Sequence, residues 1–206
     1  MKKILFIIIC ASLWITSCAP KIYQDVNAVS IAQTHKTIAI LPPLVAISAK
    51  KNVDAESLKE QQRTEAINFQ KEMYSWLLKR KSQGKLKVEI QDVEVTNAML
   101  RKIDVDKLLT MTPVEIGQLL KADAVVKSNF SISKPMSTGT AIAVGLLTGY
   151  MGATDNTTVD LSLYDINTDK MIWNYNHKAS GSFTNAGKLV DQLMRNASKK
   201  FPHIQK

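Results

Sequence analysis

Segments with a strand pattern and segments with a helix pattern alternate along this chain, and that alternation constrains the fold more than any other feature. A β-type run at Thr37–Leu41 ends at Pro42 and Pro43, whose rings cannot donate hydrogen bonds to a neighbouring strand. A long helical pattern follows, with Asp54 placed to cap its start and Gly84 placed to end it. Such alternation predicts an α/β fold, a single sandwich domain in which helices pack on a mixed sheet of about five strands.

A capping box marks one helix start strongly. Thr112 and Glu115 have the spacing at which each side chain caps the backbone of the other, and Pro113 occupies the first helical position. This helix leads into a predicted strand at Ala124–Ile132. The remaining predicted elements are a strand at Lys87–Gln91, a short helix from Thr96 through Ile103 and a closing helix from about Ala186 to Lys200.

The last third of the chain contains a β-hairpin pattern. Apolar residues alternate with polar ones on both sides of a run of turn-forming residues at 165–170. Pairing Leu163 with Trp173 and Leu161 with Tyr175 places all four side chains on one face. The sequence therefore predicts one layer of the core from this hairpin.

The N-terminus has the features of a secretory signal. Two lysines precede an apolar stretch at Ile4–Ile15, which is shorter than the roughly 20 residues that a transmembrane helix needs. Small residues and Cys18 follow. This arrangement resembles the bacterial lipoprotein signal, which implies cleavage after Ser17 and lipid on the thiol and amino group of Cys18. An ordinary secretory signal, cut near Ala19, is the alternative.

Three regions are predicted: a signal peptide at 1–17, a tether at 18–36 and an α/β domain at 37–206 with an apolar insertion at about 135–156. The cysteines are Cys10, in the signal, and Cys18, so none is left for a disulfide. Loss of the two signal lysines lowers the formal net charge from +9 to +7. Because the lysines are spread out, without an aromatic-interleaved strand motif, no nucleic-acid partner is expected.

Two motifs resemble those of envelope α/β domains. Glu115–Val126 is similar to a helix-into-strand signature, and the run from Asp165 to Trp173 matches an LYDxxTxKxxW pattern. The families are the curli-secretion lipoproteins, the lipoprotein activators of penicillin-binding proteins and the N-terminal domain of the Tol-system propeller protein. The resemblance covers about Lys36 to Phe201. It implies a lipid-anchored sheet with helices packed on it, which works through protein contacts and has no catalytic residue.

The insertion carries no charge until Asp155, which makes it the most unusual part of the mature chain. Ala141, Gly145 and Gly149 fall four residues apart, a spacing that lets helices approach closely, and Tyr150 adjoins them. Three interpretations stay open: a loop-helix packed on its own domain, a contact with a partner or a second copy, and a segment that dips into lipid. A pore is not expected, because the segment lacks the apolar–polar alternation of membrane-spanning strands.

Signals for catalysis or metal binding are weak. Ser131 and Lys134 have the serine–lysine spacing of some hydrolases, but they follow a strand pattern rather than a helical one. The run at 165–169 opens like a calcium loop, but Lys170 stands where such a loop needs glycine. No catalytic residue, metal or cofactor is therefore expected. The three histidines also lack metal-ligand spacing: His35, His177 and His203.

These observations favour a non-enzymatic, lipid-anchored lipoprotein of the cell envelope, an accessory or assembly factor that binds an envelope protein or itself. One alternative is a subunit of an oligomeric secretion or transport complex in the outer membrane. A lesser alternative, an envelope hydrolase, needs Ser131 and Lys134 to converge in a cleft. Ala19 follows the lipidated cysteine, where aspartate is the inner-membrane retention signal of enteric bacteria, so the sequence favours the outer membrane, facing the periplasm.

Overall fold

A computed structural model of the chain describes residues 20–48, 54–133, 154–181 and 186–204. The strands in these ranges are β1 (Lys21–Gln24), β2 (Thr37–Ile40), β3 (Leu44–Ser48), β4 (Glu89–Ile90), β5 (Ala124–Ser133), β6 (Thr154–Asp165) and β7 (Lys170–Gly181). The helices are α1 (Ala28–Thr34), α2 (Ala55–Ser82), α3 (Val93–Leu100), α4 (Val105–Thr110), α5 (Pro113–Leu120) and α6 (Ala186–Ala197), and a 3-10 turn follows at Ser198–Lys200.

The described strands form one sheet in the order β1-β7-β6-β5-β2-β4, with β3 also beside β5. Strand β5 runs parallel to β2 through its first half and to β3 through its second half, and antiparallel to β6 along its whole length. The predicted fold class, helices packed on a mixed sheet, is confirmed. Among the described residues the sheet has seven strands rather than about five, since β1 and β3 add to it.

Pro42 and Pro43 separate β2 from β3. The backbone N–H of Leu41 still donates to the carbonyl of Val126 at 3.0 Å, but neither proline can continue the ladder. The chain then rejoins the same neighbouring strand, where Leu44 pairs with Asn129. The prolines therefore interrupt the pairing instead of ending it.

The predicted hairpin is confirmed in its register. Leu161 pairs with Tyr175 and Leu163 with Trp173, and all four side chains are buried. The register shifts after Leu163, so Tyr164 pairs with Met171. This irregularity leaves the predicted core layer intact.

Two predicted helix caps are also confirmed. The carboxylate of Asp54 accepts a hydrogen bond from the backbone N–H of Ser57 at 2.8 Å. At α5, the Thr112 hydroxyl accepts from the backbone N–H of Glu115 at 3.2 Å, and the Glu115 carboxylate accepts from the backbone N–H of Thr112 at 2.6 Å. Gly84 follows α2 with φ of +70°, a conformation that glycine adopts without strain.

The short helix predicted to start at Thr96 begins earlier, at Val93. Asp92 is its cap, because the Asp92 carboxylate accepts from the backbone N–H of Glu94 at 2.7 Å. Thr96 is buried inside the helix, and its hydroxyl donates to the side-chain carbonyl of Gln91 at 2.8 Å. Asp92 is the better cap since a carboxylate accepts from two successive backbone N–H groups here.

The tether predicted at 18–36 is wrong for most of its length. Residues 21–24 form β1, which pairs antiparallel with β7, and residues 28–34 form α1. Ala28 and Ala32 of this helix are buried. Every side chain of β1 is exposed, so the strand is held by its backbone pairing and shows no apolar alternation for sequence analysis to find.

Helices cover both faces of the sheet. Ala124 and Val126 of β5 belong to one apolar cluster and Val125 to another, and successive side chains of a strand point to opposite faces. Residues of α2 and α6 complete the first cluster, and residues of α3 and α5 complete the second. No described helix has both the length and the apolar character needed to cross a membrane.

The hairpin layer makes a stability prediction. Leu163→Ala removes a fully buried side chain and is expected to lower the free energy of unfolding by about 2–5 kcal/mol, measured by urea denaturation. Leu44→Ala is the matched control, because Leu44 is 58% exposed, and it is expected to change the same free energy by less than about 0.5 kcal/mol. Equal effects at the two leucines would contradict the burial pattern.

Candidate functional site

The site residues that the sequence nominates lie largely outside the described ranges. These are the lipidation site Cys18 and the proposed contact surface at Ala141, Gly145, Gly149 and Tyr150. Strand β6 begins at Thr154, so the last residues of the predicted insertion, 154–156, belong to this strand. The last residue of β5 pairs with position 156 of β6. The two ends of the insertion are therefore held side by side at one end of the sheet.

Ser131 lies inside β5, where it pairs with Thr158 of β6 and faces solvent. Lys134, its proposed partner, lies outside the described residues. A strand is not the context in which serine–lysine enzymes place this motif, since the helical repeat brings the two side chains onto one face. The described geometry gives the hydrolase alternative no support.

The structure brings together three titratable side chains that the sequence keeps far apart. Nε2 of His35 lies 2.7 Å from Oδ1 of Asp165, and Nδ1 of His35 lies 2.9 Å from Nε2 of His203. All three residues are buried. The other oxygen of Asp165 accepts from the backbone N–H of Thr168 at 2.7 Å and from its hydroxyl. We call these residues the Asp165–His35–His203 chain.

The charge of the Asp165 carboxylate determines which atoms donate along the Asp165–His35–His203 chain. An ionised carboxylate only accepts, so Nε2 of His35 carries a proton and donates to Asp165. With both rings neutral, Nδ1 of His35 then accepts from Nε2 of His203. Burial alone raises the pKa of Asp165, but the hydrogen bonds from Thr168 and His35 outweigh it, so this pKa lies below its usual value.

His203 is the last member of the Asp165–His35–His203 chain, and its ring is neutral. Burial, reinforced by repulsion from His35 when that ring is charged, lowers the pKa of His203 to about 3. Its Nδ1 is buried and has no hydrogen-bond partner within the described chain. The ring also lies 5.1 Å from Phe201, measured between ring centres. His203 is therefore a packed, uncharged side chain rather than a cation at the surface.

The Asp165–His35–His203 chain fastens three distant parts of the fold. His35 precedes β2, Asp165 ends β6, and His203 follows the C-terminal helix. His35 is 130 positions from Asp165 and 168 positions from His203, so no local spacing in the sequence predicts these contacts. The sequence did predict one role of Asp165: it belongs to the predicted turn, and its carboxylate caps that turn by accepting from the backbone N–H of Thr168.

An open cleft of about 730 Å³ lies against the two histidines. Its other walls come from apolar residues together with Gln33 and Lys87. The lining includes no serine, threonine or cysteine that a histidine could activate as a nucleophile. Among the residues that the structure describes, no group of three histidine, cysteine or carboxylate side chains is placed to hold a metal ion. The geometry supports a structural role for the chain of histidines.

His177 stands apart from the other two histidines. It lies on β7, where it pairs with Val159, and its ring centre is 6.0 Å from that of Tyr175. Burial lowers its pKa below the usual value. The structure therefore joins two of the three histidines and leaves this one in the hairpin.

Comparison with known proteins finds structural likeness only. No protein-family model matches the chain, and no curated protein matches it. The LpoB C-terminal domain from Salmonella enterica is 11% identical, with 70% of this chain and 82% of that one covered and a TM-score of 0.36. Lipoprotein GNA1162 from Neisseria meningitidis is 14% identical, with 80% and 96% covered and a TM-score of 0.40.

The PelC dodecamer from Paraburkholderia phytofirmans is 11% identical in sequence. The match covers 91% of this chain and 99% of that chain, at a TM-score of 0.37. The chain is thus similar in structure to LpoB domains and to a Neisseria lipoprotein, proteins of the group suspected from the sequence. Identities and TM-scores this low assign no function to the chain.

The buried histidine makes a prediction about pH. Because the folded pKa of His203, about 3, lies below the unfolded value of 6.5, the unfolded chain binds more protons between these values. The part of the free energy of unfolding that depends on a neutral His203 is complete above pH 6.5 and is lost as the pH falls toward 3. His203→Gln removes this titration, so its free energy of unfolding is expected to fall less steeply from pH 6.5 to about 4 than that of the parent.

Urea denaturation at a series of pH values measures both slopes. His177→Gln is the matched control, because its ring is only partly buried and its substitution is expected to change the slope less. Parallel curves for the parent and His203→Gln would refute a neutral buried His203. The range stops at about pH 4 since carboxylates such as Asp165 titrate below it.

Proposed function

We propose that the chain is a lipid-anchored lipoprotein of the bacterial cell envelope, which acts without catalysis through contacts with another envelope protein or with itself. The observation that carries the proposal is the signal ending in Ile15–Cys18, where charge, apolar length, small residues and cysteine agree. Cleavage after Ser17 leaves Cys18 as the first residue of the mature chain. Two or three acyl chains on it suffice for stable anchoring, since each buried methylene contributes about 0.8 kcal/mol.

The described residues support a role without catalysis. In the part of the chain that the structure describes, the buried side chains of His203, His35 and Asp165 are hydrogen-bonded to one another. The described lining of the adjoining cleft has no serine, threonine or cysteine, and Ser131 lies on a paired strand.

The insertion at about 135–156 is the proposed contact surface. Its flanking strands pair with each other up to positions 133 and 156, and its last residues, 154–156, belong to β6. Residues 135–154 carry no charge, and an apolar segment of this kind is a candidate for contact with a partner or a second copy. Ala141, Gly145, Gly149 and Tyr150 are the residues proposed to make it.

The outer membrane, on its periplasmic side, is the proposed location. Ala19 rather than aspartate follows the modified cysteine, which supports export past the inner membrane by the enteric rule. The net charge of +7 after removal of the signal also suits an anionic lipid surface.

The anchor is tested by metabolic labelling with palmitate. Cys18→Ala is expected to abolish incorporation, because the thiol that receives the lipid is gone. Cys10→Ala is the matched control: it removes the other cysteine from within the signal and is expected to leave labelling unchanged. Incorporation that survives Cys18→Ala would disprove the anchor.

The contact surface is tested by replacing residues 134–155 with Asn-Gly. Because Ser133 pairs directly with Asn156, a two-residue turn can close this hairpin, and the variant is expected to keep the thermal midpoint of the parent within a few degrees. In-cell crosslinking of the full chain is expected to trap a partner or a second copy. The variant is expected to lose that product, and retention of the product would refute the assignment.

A further inference from the structure

Exposed apolar side chains are concentrated at the start of the folded domain. Half of the large hydrophobic residues that are exposed in the described chain fall within eight consecutive positions. They are Ile22 and Tyr23 of β1, Val26 between β1 and α1, and Val29 of α1. Val26 is 96% exposed, so almost none of its side chain contacts the protein. We call these four residues with Lys21 the β1–α1 edge.

Within the described residues, the position of this edge in the sheet leaves one side of β1 unpaired. Strand β1 is the first strand in the sheet order, and β7 is its partner among the described strands. The opposite end of that order is β4, which lies next to β2. The β1–α1 edge is therefore a border of the sheet, remote from β4 and from helix α3, which follows it.

Chain length places this border close to Cys18. Lys21 is three positions after Cys18, and an extended chain spans at most about 3.6 Å per residue, so the two lie within about 11 Å of each other. The headgroup layer on each side of a bilayer is about 5–8 Å thick. A lipid on Cys18 would thus hold β1 within or directly above the headgroups, with no room for a free tether.

The chemistry of the edge suits that position. Tyrosine side chains favour the membrane interface, where the ring is apolar and the hydroxyl stays wet. Lys21 is an exposed cation next to the apolar residues and suits anionic lipid. Asp25 is the acidic residue here, and its carboxylate accepts from the backbone N–H of Asn27 at 2.8 Å. That local bond turns one carboxylate oxygen toward the protein backbone.

We propose that the β1–α1 edge lies against the membrane that anchors Cys18, so that the domain is docked on the lipid surface in one orientation. The inference rests on the proposed lipid anchor and adds an interaction surface to it. Apolar side chains that lie at the interface insert to about 5–10 Å, at the boundary of headgroups and acyl chains. Val26, as the most exposed member, is the deepest contact.

The test uses the full chain with its own signal and a cysteine at Val26. Cys10 leaves with the signal and Cys18 carries the lipid, so Val26→Cys supplies the one free thiol of the mature protein. An environment-sensitive fluorophore on that thiol is measured in vesicles of phosphatidylethanolamine and phosphatidylglycerol that contain headgroup-level quenchers. Val95→Cys is the matched control, a valine of α3 that is 49% exposed.

Quenching at position 26 is expected to exceed that at position 95 by about threefold. Mass spectrometry of the purified protein is done first, since a mass without acyl chains refutes the anchor itself and not the docking. In acylated protein, equal quenching at the two positions overturns the docking proposal. A protected probe at position 26 that becomes exposed when the protein is diluted among excess vesicles overturns it also, because a second copy then covers the edge.

Discussion

The pairing of β5 on both of its sides is the constraint on which the rest of the structure depends. One edge of this strand pairs with β2 and then with β3, while the other pairs with β6 over its full length. Its first three residues, 124–126, are also buried on both faces, because they alternate between the two helix-covered clusters. Residues enclosed on both faces in this way are apolar, which is what Ala-Val-Val at 124–126 supplies. Both helix layers are positioned by it.

Sequence patterns predicted the parts of this fold that rest on local signals. The hairpin register follows from a period of two, and it places Leu161 and Leu163 opposite Tyr175 and Trp173 as expected. The capping box at Thr112 likewise needs only residues three apart. Strand β1 escaped prediction because all its side chains are exposed, and an edge strand held by backbone bonds needs no apolar pattern. Strand β3 was not predicted either, because Pro42 and Pro43 interrupt the strand pattern between β2 and β3.

The Asp165–His35–His203 chain could not be predicted, for a different physical reason. Each of its hydrogen bonds joins residues more than a hundred positions apart, so only the completed sheet brings them together. Once assembled, the three groups depend on one another, since a buried polar group that loses its partner pays its full desolvation cost. The candidate contact surface differs from these three groups, because it was recognised from the sequence. Its composition marks it in the sequence, but its proposed contact residues lie outside the described part of the chain.

The sheet also relates the proposed anchor to the proposed contact surface. Strand β1 runs antiparallel to β7, so its first residue, Lys21, points toward the end of the sheet where β5 stops and β6 begins. Lys21 pairs with Asn176, which pairs with Asp160, and Asn156 lies four residues or about 13 Å further along β6. The chain therefore enters from Cys18 at the same end from which the insertion leaves. A partner that binds the insertion of an anchored domain would meet it near the membrane, so partners that are themselves held at the membrane fit this geometry best.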